Sequence, residues 1–397
     1  MNKKYLKYVI KKNIVLFAVV TLLTLIIFGS TILRMDMIHP TMESAGHYVK
    51  ENANFTGSGL PYIFLPYTLV VLYMSFKSIS FRYKKRAADC FYHLPFGRKN
   101  LRRFNNIFNI CFILVSFSLS FWLVIAAFGI KYATIALPVK DEVIYVKYYY
   151  DFTYYLVAYI LISVSLSLMY IYNSFFIQMG NSFLSSLIFL IFGNLLVSGL
   201  PYAIYSIGSK YSEPVFSPYT AYIFELVDGF YLPFYMYSVI DATLGGLIVG
   251  CNPVPFVSSS QLFPTILNSV VLFVVFALAI YYCFFIDDPS GEYSGLPGAR
   301  NKYLSILIST PLLLAGLEQI SYKFQNEFQV ISLVVSLLLE TIVVYVCYVA
   351  LNKTFKIKKI EWIYISSGVA LLLIGFCLSY IPGYVPEEIR QYISVIF

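Results

Sequence analysis

Long uncharged apolar runs alternate with short segments that gather nearly all the charge, and this spacing leaves few folds open to the chain. A run of about 20 apolar residues is long enough to cross a hydrocarbon core of about 30 Å as a helix. In lipid every backbone donor and acceptor must be satisfied internally, so an unbroken apolar run reads as a helix. On this basis spans are expected at 13–33, 61–76, 106–130, 153–178, 183–205, 263–286, 303–320, 328–351 and 362–380. The expected fold class is therefore all-α: a polytopic integral membrane protein with about nine transmembrane helices. Charged residues make up 12% of the 397 residues. A soluble domain carries about 25%, so there is too little charge to cover a water-facing surface.

The first run, Asn13 to Leu33, is too long for the apolar core of a signal peptide. No small-residue cleavage pattern follows it, and it is expected to be retained as a helix. The six cysteines lie mostly inside apolar runs and show no CxxC spacing. They read as small buried hydrophobes rather than as a disulfide framework or a zinc site.

Lys and Arg resist translocation, so their distribution orients the chain. With the N-terminus inside, 20 of the 28 basic residues fall on the cytoplasmic side, nine of them between Lys77 and Arg103. The expected location is the cytoplasmic (inner) membrane, with an extracytoplasmic C-terminus. Between the fifth and sixth spans, 206–262 is largely apolar and contains Asp241, Gly245, Gly246 and Gly250 before Cys251-Asn252-Pro253-Val254-Pro255. A re-entrant or interfacial pair of short helices is expected there, covered by protein or lining a cavity. The alternative is a tenth crossing by 229–251, which would push the basic run Lys353–Lys359 outside against the charge rule.

Within the basic loop, Ala87, Cys90, Phe91 and Leu94 fall at i, i+3, i+4 and i+7, one face of a helix. Lys84, Lys85, Asp89 and His93 lie off that stripe. Pro95 removes a helical donor and restricts Leu94, so the helix should stop there. Gly97 permits a turn before Arg98-Lys99 and Arg102-Arg103. Two readings stand at this point. One is a solvated loop that fixes topology and touches anionic lipid heads. The other is a short helix at the cytoplasmic face that presents side chains to a partner protein.

The stretch Lys85, Arg86, Asp89, Phe91, Leu94, Pro95, Arg98, Lys99 resembles the coupling-helix region of type-2 ATP-binding-cassette (ABC) exporter permeases of Gram-positive bacteria. Those permeases carry a basic run, an Asp, aromatics, Leu-Pro and an Arg-Lys or Arg-Glu pair between their second and third helices. They often have Ser where this chain has His93 and Gly97. Pro289-Ser290-Gly291-Glu292-Tyr293-Ser294-Gly295 resembles a looser Ser-x-Glu-x-x-Gly-like stretch of the same permeases. The ending from Gly383-Tyr384-Val385-Pro386 to Ser394-Val395 resembles the approach to an extracytoplasmic domain in longer relatives, a domain expected to be absent here.

The resemblance implies a six-helix permease core over 1–286 and a further three-helix region over 287–397 with a short tail. It implies a permease that pairs with a second permease, as a homo- or heterodimer, and docks separate ABC ATP-binding subunits through the eight residues named above. The chain has no GxxxxGK[ST] loop, so ATP and Mg are expected on the partner ATPase, with no cofactor or catalytic residue on this chain. Two other classes compete. An integral-membrane enzyme acting on lipid or polyprenyl-linked substrates would need clustered His, Asp or Glu. A secondary transporter would show broken helices in matching halves.

Glu340 sits near the middle of the eighth span, where an acid costs on the order of 3 kcal/mol on insertion scales. It is read either as a substrate or proton contact or as a neutral acid bonded to a neighbouring helix. His39, His47 and His93 have no metal-site spacing, and no metal is expected. The 37 Tyr and 35 Phe gather at span ends such as Tyr148-Tyr149-Tyr150 and Tyr154-Tyr155, as an interfacial belt would. An aromatic path for substrate is the other reading. The net charge of +8 lies on the cytoplasmic face and needs no nucleic acid to explain it. With single cysteines at Lys85→Cys and Phe355→Cys, an impermeant maleimide should label neither in intact cells and both after permeabilisation. Labelling from outside would reverse the orientation.

Overall fold

A computed structural model of the chain describes residues 3–34, 60–83, 98–132, 135–139, 142–146, 152–180, 182–211, 262–285, 313, 327–352, 355–356 and 359–380. Eight long helices account for most of them: α1 (Lys3–Arg34), α2 (Leu60–Ile79), α3 (Arg98–Tyr132), α4 (Phe152–Gln178), α5 (Phe183–Tyr211), α6 (Leu262–Phe284), α7 (Glu327–Asn352) and α8 (Lys359–Tyr380). Each coincides with one expected span. The remaining span, 303–320, lies outside the described residues except for Leu313, and 229–251 lies wholly outside them. A 3-10 turn, Ser80–Tyr83, extends α2. One departure from an all-α chain is a hairpin between α3 and α4, in which β1 (Ile135–Val139) pairs antiparallel with β2 (Glu142–Val146), Val139 opposite Glu142. Its Val- and Ile-rich strands suit a pleated backbone better than a helix.

Three stretches are long and apolar enough to span a membrane by length and composition: Lys7–Ser30, Asn100–Ala127 and Tyr155–Gln178. The side chains follow the same logic. Large apolar residues stand exposed on Val15, Leu22 and Leu23 of α1, on Val270, Phe273 and Val274 of α6, and on Leu338, Leu339 and Ile342 of α7. Thr24, Asn106, Asn109, Ser116, Ser120 and Gln178 are buried. Apolar surface on this scale has no place in water. Hydrocarbon covers it without cost, and the polar groups turn inward to find partners. The chain is a helical membrane protein.

The chain divides into two units. The first takes in Met1–Met74, Ile107–Tyr170 and Met236–Phe256. In it α1 runs parallel to α3: Phe17 meets Phe112 edge-on at 5.4 Å, Thr21 shares a 3.0 Å hydrogen bond with Ser116, and Thr24 one of 2.9 Å with Ser120. These residues recur every three or four positions on both helices, the spacing of one face. Tyr67 of α2 enters the row with its hydroxyl, 2.9 Å from Thr24 Oγ1 and 3.1 Å from Ser120 Oγ. On α4, Tyr159 stacks on Phe117 at 5.8 Å and shares a 2.7 Å bond with Ser118. Such bonds between helices in lipid contribute about 0.6 kcal/mol each, up to about 2.

One aromatic expected at an interfacial belt is instead a core residue. Tyr155, which the belt reading included, is among the largest fully buried side chains, with Tyr170, Tyr172 and Phe117. Tyr170 shows how: its hydroxyl accepts a 2.9 Å hydrogen bond from Asn109 Nδ2. Burial of a tyrosine needs such a partner for its hydroxyl.

The second unit takes in Ser75–Asn106, Ile171–Tyr235 and Val257–Phe397. Here α5 packs on α6 and α7, and α7 on α8. Ile188 and Phe192 of α5, Val344 and Tyr348 of α7, and Ile365 of α8 form one core, flanked by Cys347, Ala350 and Val369. The α4–α5 turn is closed by a reciprocal pair. Ser185 N–H donates to Ser182 Oγ at 3.2 Å, and Ser182 N–H donates to Ser185 Oγ at 2.9 Å. This is a capping box with Ser in place of the usual Glu. Gly180 has to be small in that turn, because a Cβ there would overlap the Ser186 backbone. Gly193 of α5 likewise leaves room for the Phe176 ring of α4. Gly193→Ala should therefore destabilise the detergent-solubilised protein by about 1–3 kcal/mol, as overpacking does. Thermal melts should show much of that loss restored in the Gly193→Ala, Phe176→Leu double variant.

Candidate functional site: a polar tie at the start of α3

Of the expected coupling residues, Lys85, Arg86, Asp89, Phe91, Leu94 and Pro95 lie outside the described residues, as does the turn at Gly97. Arg98 and Lys99 form the first turn of α3. The helix thus begins eight residues ahead of the expected span at 106 and takes up Arg102 and Arg103, which the sequence reading left in the basic loop. The difference matters: Arg102 is only 7% exposed.

Arg102, Arg103 and Asn106 fall at i, i+1 and i+4 of α3. All three engage the ends of other helices in the second unit. Arg102 Nε donates to Gln178 Oε1, the last residue of α4, at 2.8 Å, and Nη2 donates to the same oxygen. The guanidinium carbon lies 4.6 Å from the centroid of the Tyr282 ring of α6, a cation–π contact. Among the described residues the partners of this buried cation are all neutral. A hydrogen bond to a charged group contributes about 1.5–3 kcal/mol, more than a neutral one, and a buried guanidinium is costly without it.

The other two residues close the end of α6. The last four carbonyls of a helix have no partner within it. Asn106 Nδ2 donates to Cys283 O at 3.0 Å, and Arg103 Nε donates to Phe284 O. The Arg103 guanidinium also lies 5.3 Å from the Phe285 ring centroid. A cation at a helix C-terminus is favoured by the dipole as well as by the bond. Gln178 Nε2 reaches Asn106 Oδ1 at 3.4 Å, which links the two halves of the cluster. Three helix ends are thereby tied: the start of α3 and the last turns of α4 and α6.

The other flank of the 84–97 segment is also held. Phe183, the first residue of α5, packs against Phe76 of α2 at 5.1 Å and against Tyr83 of the 3-10 turn at 6.2 Å. The chain entering this basic segment is thus anchored to α5, and the chain leaving it to α4 and α6.

Glu340 lies at the middle of α7 and is half-buried. Among the described residues no group of three or more His, Cys, Asp or Glu is placed to hold a metal. His39, His47, His93 and the 289–295 stretch lie outside the described residues. Gln178 and Asn106 were not singled out in the sequence, where each is a lone amide at the edge of an apolar run. The usable signal was the i, i+1, i+4 grouping of Arg102, Arg103 and Asn106.

The chain matches no family model, no curated protein and no solved structure with which it was compared. In a double-mutant cycle, Arg102→Leu and Gln178→Leu should show a coupling energy of about 1.5–3 kcal/mol in unfolding, the range for a hydrogen bond to a charged group. Additive effects would mean that the pair contributes nothing.

Proposed function

We propose that the chain is the transmembrane permease subunit of an ATP-driven ABC exporter, working with separate ATP-binding subunits and a second permease. The observation that carries this reading is the setting of the 84–97 segment. Its sequence resembles a coupling helix, and both its flanks are anchored to the helices such a segment would have to move. A loop that only attracted lipid heads would need no such anchoring. Closure of the ATPase pair would deliver a push to this segment, and the energy would enter as a bias on a two-state helical assembly.

The directions of the described helices support an orientation with the basic loops on one side. The last turns of α4 and α6 meet Arg102 and Asn106 near the start of α3, and four residues separate the end of α4 from the start of α5. α5 therefore leaves that face and α6 returns to it. The last third of α7 packs with the first third of α5, so α7 ends near the face where α5 begins. Lys353–Lys359 then shares a face with Lys77–Arg103. The excess of basic residues makes that face the cytoplasmic one in this proposal.

The test is co-expression with a candidate ABC ATP-binding subunit, followed by purification and an ATP-turnover assay. The unmodified chain should retain the ATPase and stimulate it. Asp89→Ala, Phe91→Ala and Leu94→Ala together should abolish retention and lower stimulated turnover by about tenfold or more, the loss of roughly 1.4 kcal/mol or more of docking energy. Retention and stimulation unchanged in the triple variant would remove the assignment.

A further inference from the structure

We infer that Arg102, Gln178 and Asn106 are positioning residues for energy coupling: they hold the start of α3 to the ends of α4 and α6, so that a push at α3 turns the three helices together. The transport consequence rests on the permease reading above, whereas the tie itself rests on geometry alone.

The geometry has three parts. First, the guanidinium of Arg102 is buried and directs two donors at a single amide oxygen on Gln178. Gln178 is itself buried, so neither partner has water to turn to when they separate. Second, Gln178 and Asn106 are linked through their amides, and Asn106 holds the Cys283 carbonyl. A shift of α3 therefore acts on α4 and α6 through one continuous set of bonds. Third, the rings close around it: Tyr282 lies over Arg102 and meets Phe175 of α4 edge-on at 5.5 Å. Polar bonds that have no competing solvent, set among packed rings, make a stiff connection. Arg102 lies four residues inside α3, so a displacement at Arg98 reaches it within about one helical turn.

Cys283 provides a readout independent of function. Its side chain is buried, with Sγ 3.9 Å from Ile171 O, and its own carbonyl is the group that Asn106 holds. In a full-length chain keeping only this cysteine, membrane-permeant N-ethylmaleimide should react slowly. Gln178→Leu removes the acceptor of the guanidinium and should speed labelling about tenfold, as local opening of a helix end would. Gln178→Glu keeps the acceptor for Arg102 although it loses the amide donor to Asn106, and should label well below the Gln178→Leu rate. Asn106→Leu reports the α6 contact separately and should also label faster, which covers the case in which Gln178→Leu does not fold. Slow labelling in both leucine variants overturns the tie, and so does equal acceleration in Gln178→Leu and Gln178→Glu.

The same variants are then assayed with the ATPase bound. Gln178→Leu should still retain the ATPase but lose about tenfold of its stimulated turnover, and Gln178→Glu should restore it, a pattern that general destabilisation would not give. Full stimulation in a Gln178→Leu chain that labels fast overturns the transmitting role. If the parent chain retains no ATPase, the permease reading fails, and the labelling arm still decides whether the tie exists.

Discussion

The arginine at position 102 carries a full charge into a place where the chain offers it an amide oxygen and an aromatic face. Much of the surrounding structure follows from meeting that demand. Gln178 must end α4 at this level, and Tyr282 must present its ring, which sets the rotation of α6 about its axis. The neighbouring Asn106 and Arg103 then fall opposite the open carbonyls of the last α6 turn. Arg102 gains an acceptor in Gln178, and the open end of α6 gains donors from Arg103 and Asn106 beside it. A leucine at 102 would pack, but it would fix neither the depth nor the rotation of its neighbours.

The same principle appears in the first unit with weaker groups. Thr24, Tyr67 and Ser120 form a hydroxyl cluster between three helices. Apolar contact gives little preference between faces when lipid tails compete equally well, so hydroxyl bonds and stacked rings set the register instead. The Phe117, Phe121 and Tyr159 rings lie within 5.4–5.8 Å of one another and fill the space those bonds define. The second unit adds an apolar core around Phe192 and Tyr348, where no charge is involved.

Helix existence was readable because apolar run length is a physical ruler for the bilayer, and all eight described helices answer to an expected span. Their ends were less readable. Residues 98–105 of α3 are polar and basic, so an apolar window starts only at 106, although the helix continues back to Arg98. The hairpin between α3 and α4 was missed because its alternation covers only five residues a strand. The polar tie was missed for a different reason. Arg102 and Gln178 are 76 positions apart, and nothing local to either says that they meet. The aromatic residues misled in the opposite direction: position near a span end suggested an interface, whereas Tyr155 is packed away from it.

The α4–α5 turn joins its helices with Met179, Gly180, Asn181 and Ser182, and these carry no charge. Every other connection on that face of the proposed topology contains lysine or arginine. During biogenesis such a hairpin has no topogenic signal of its own, since serine hydroxyls closing a tight turn are indifferent to which leaflet they face. Its orientation has to be inherited from the flanking basic loops, and Gln178, one residue before the turn, is where α4 becomes attached to an arginine that is already oriented. In that proposed topology an insertion machinery would find the hairpin's direction decided upstream, by the charge at the start of α3.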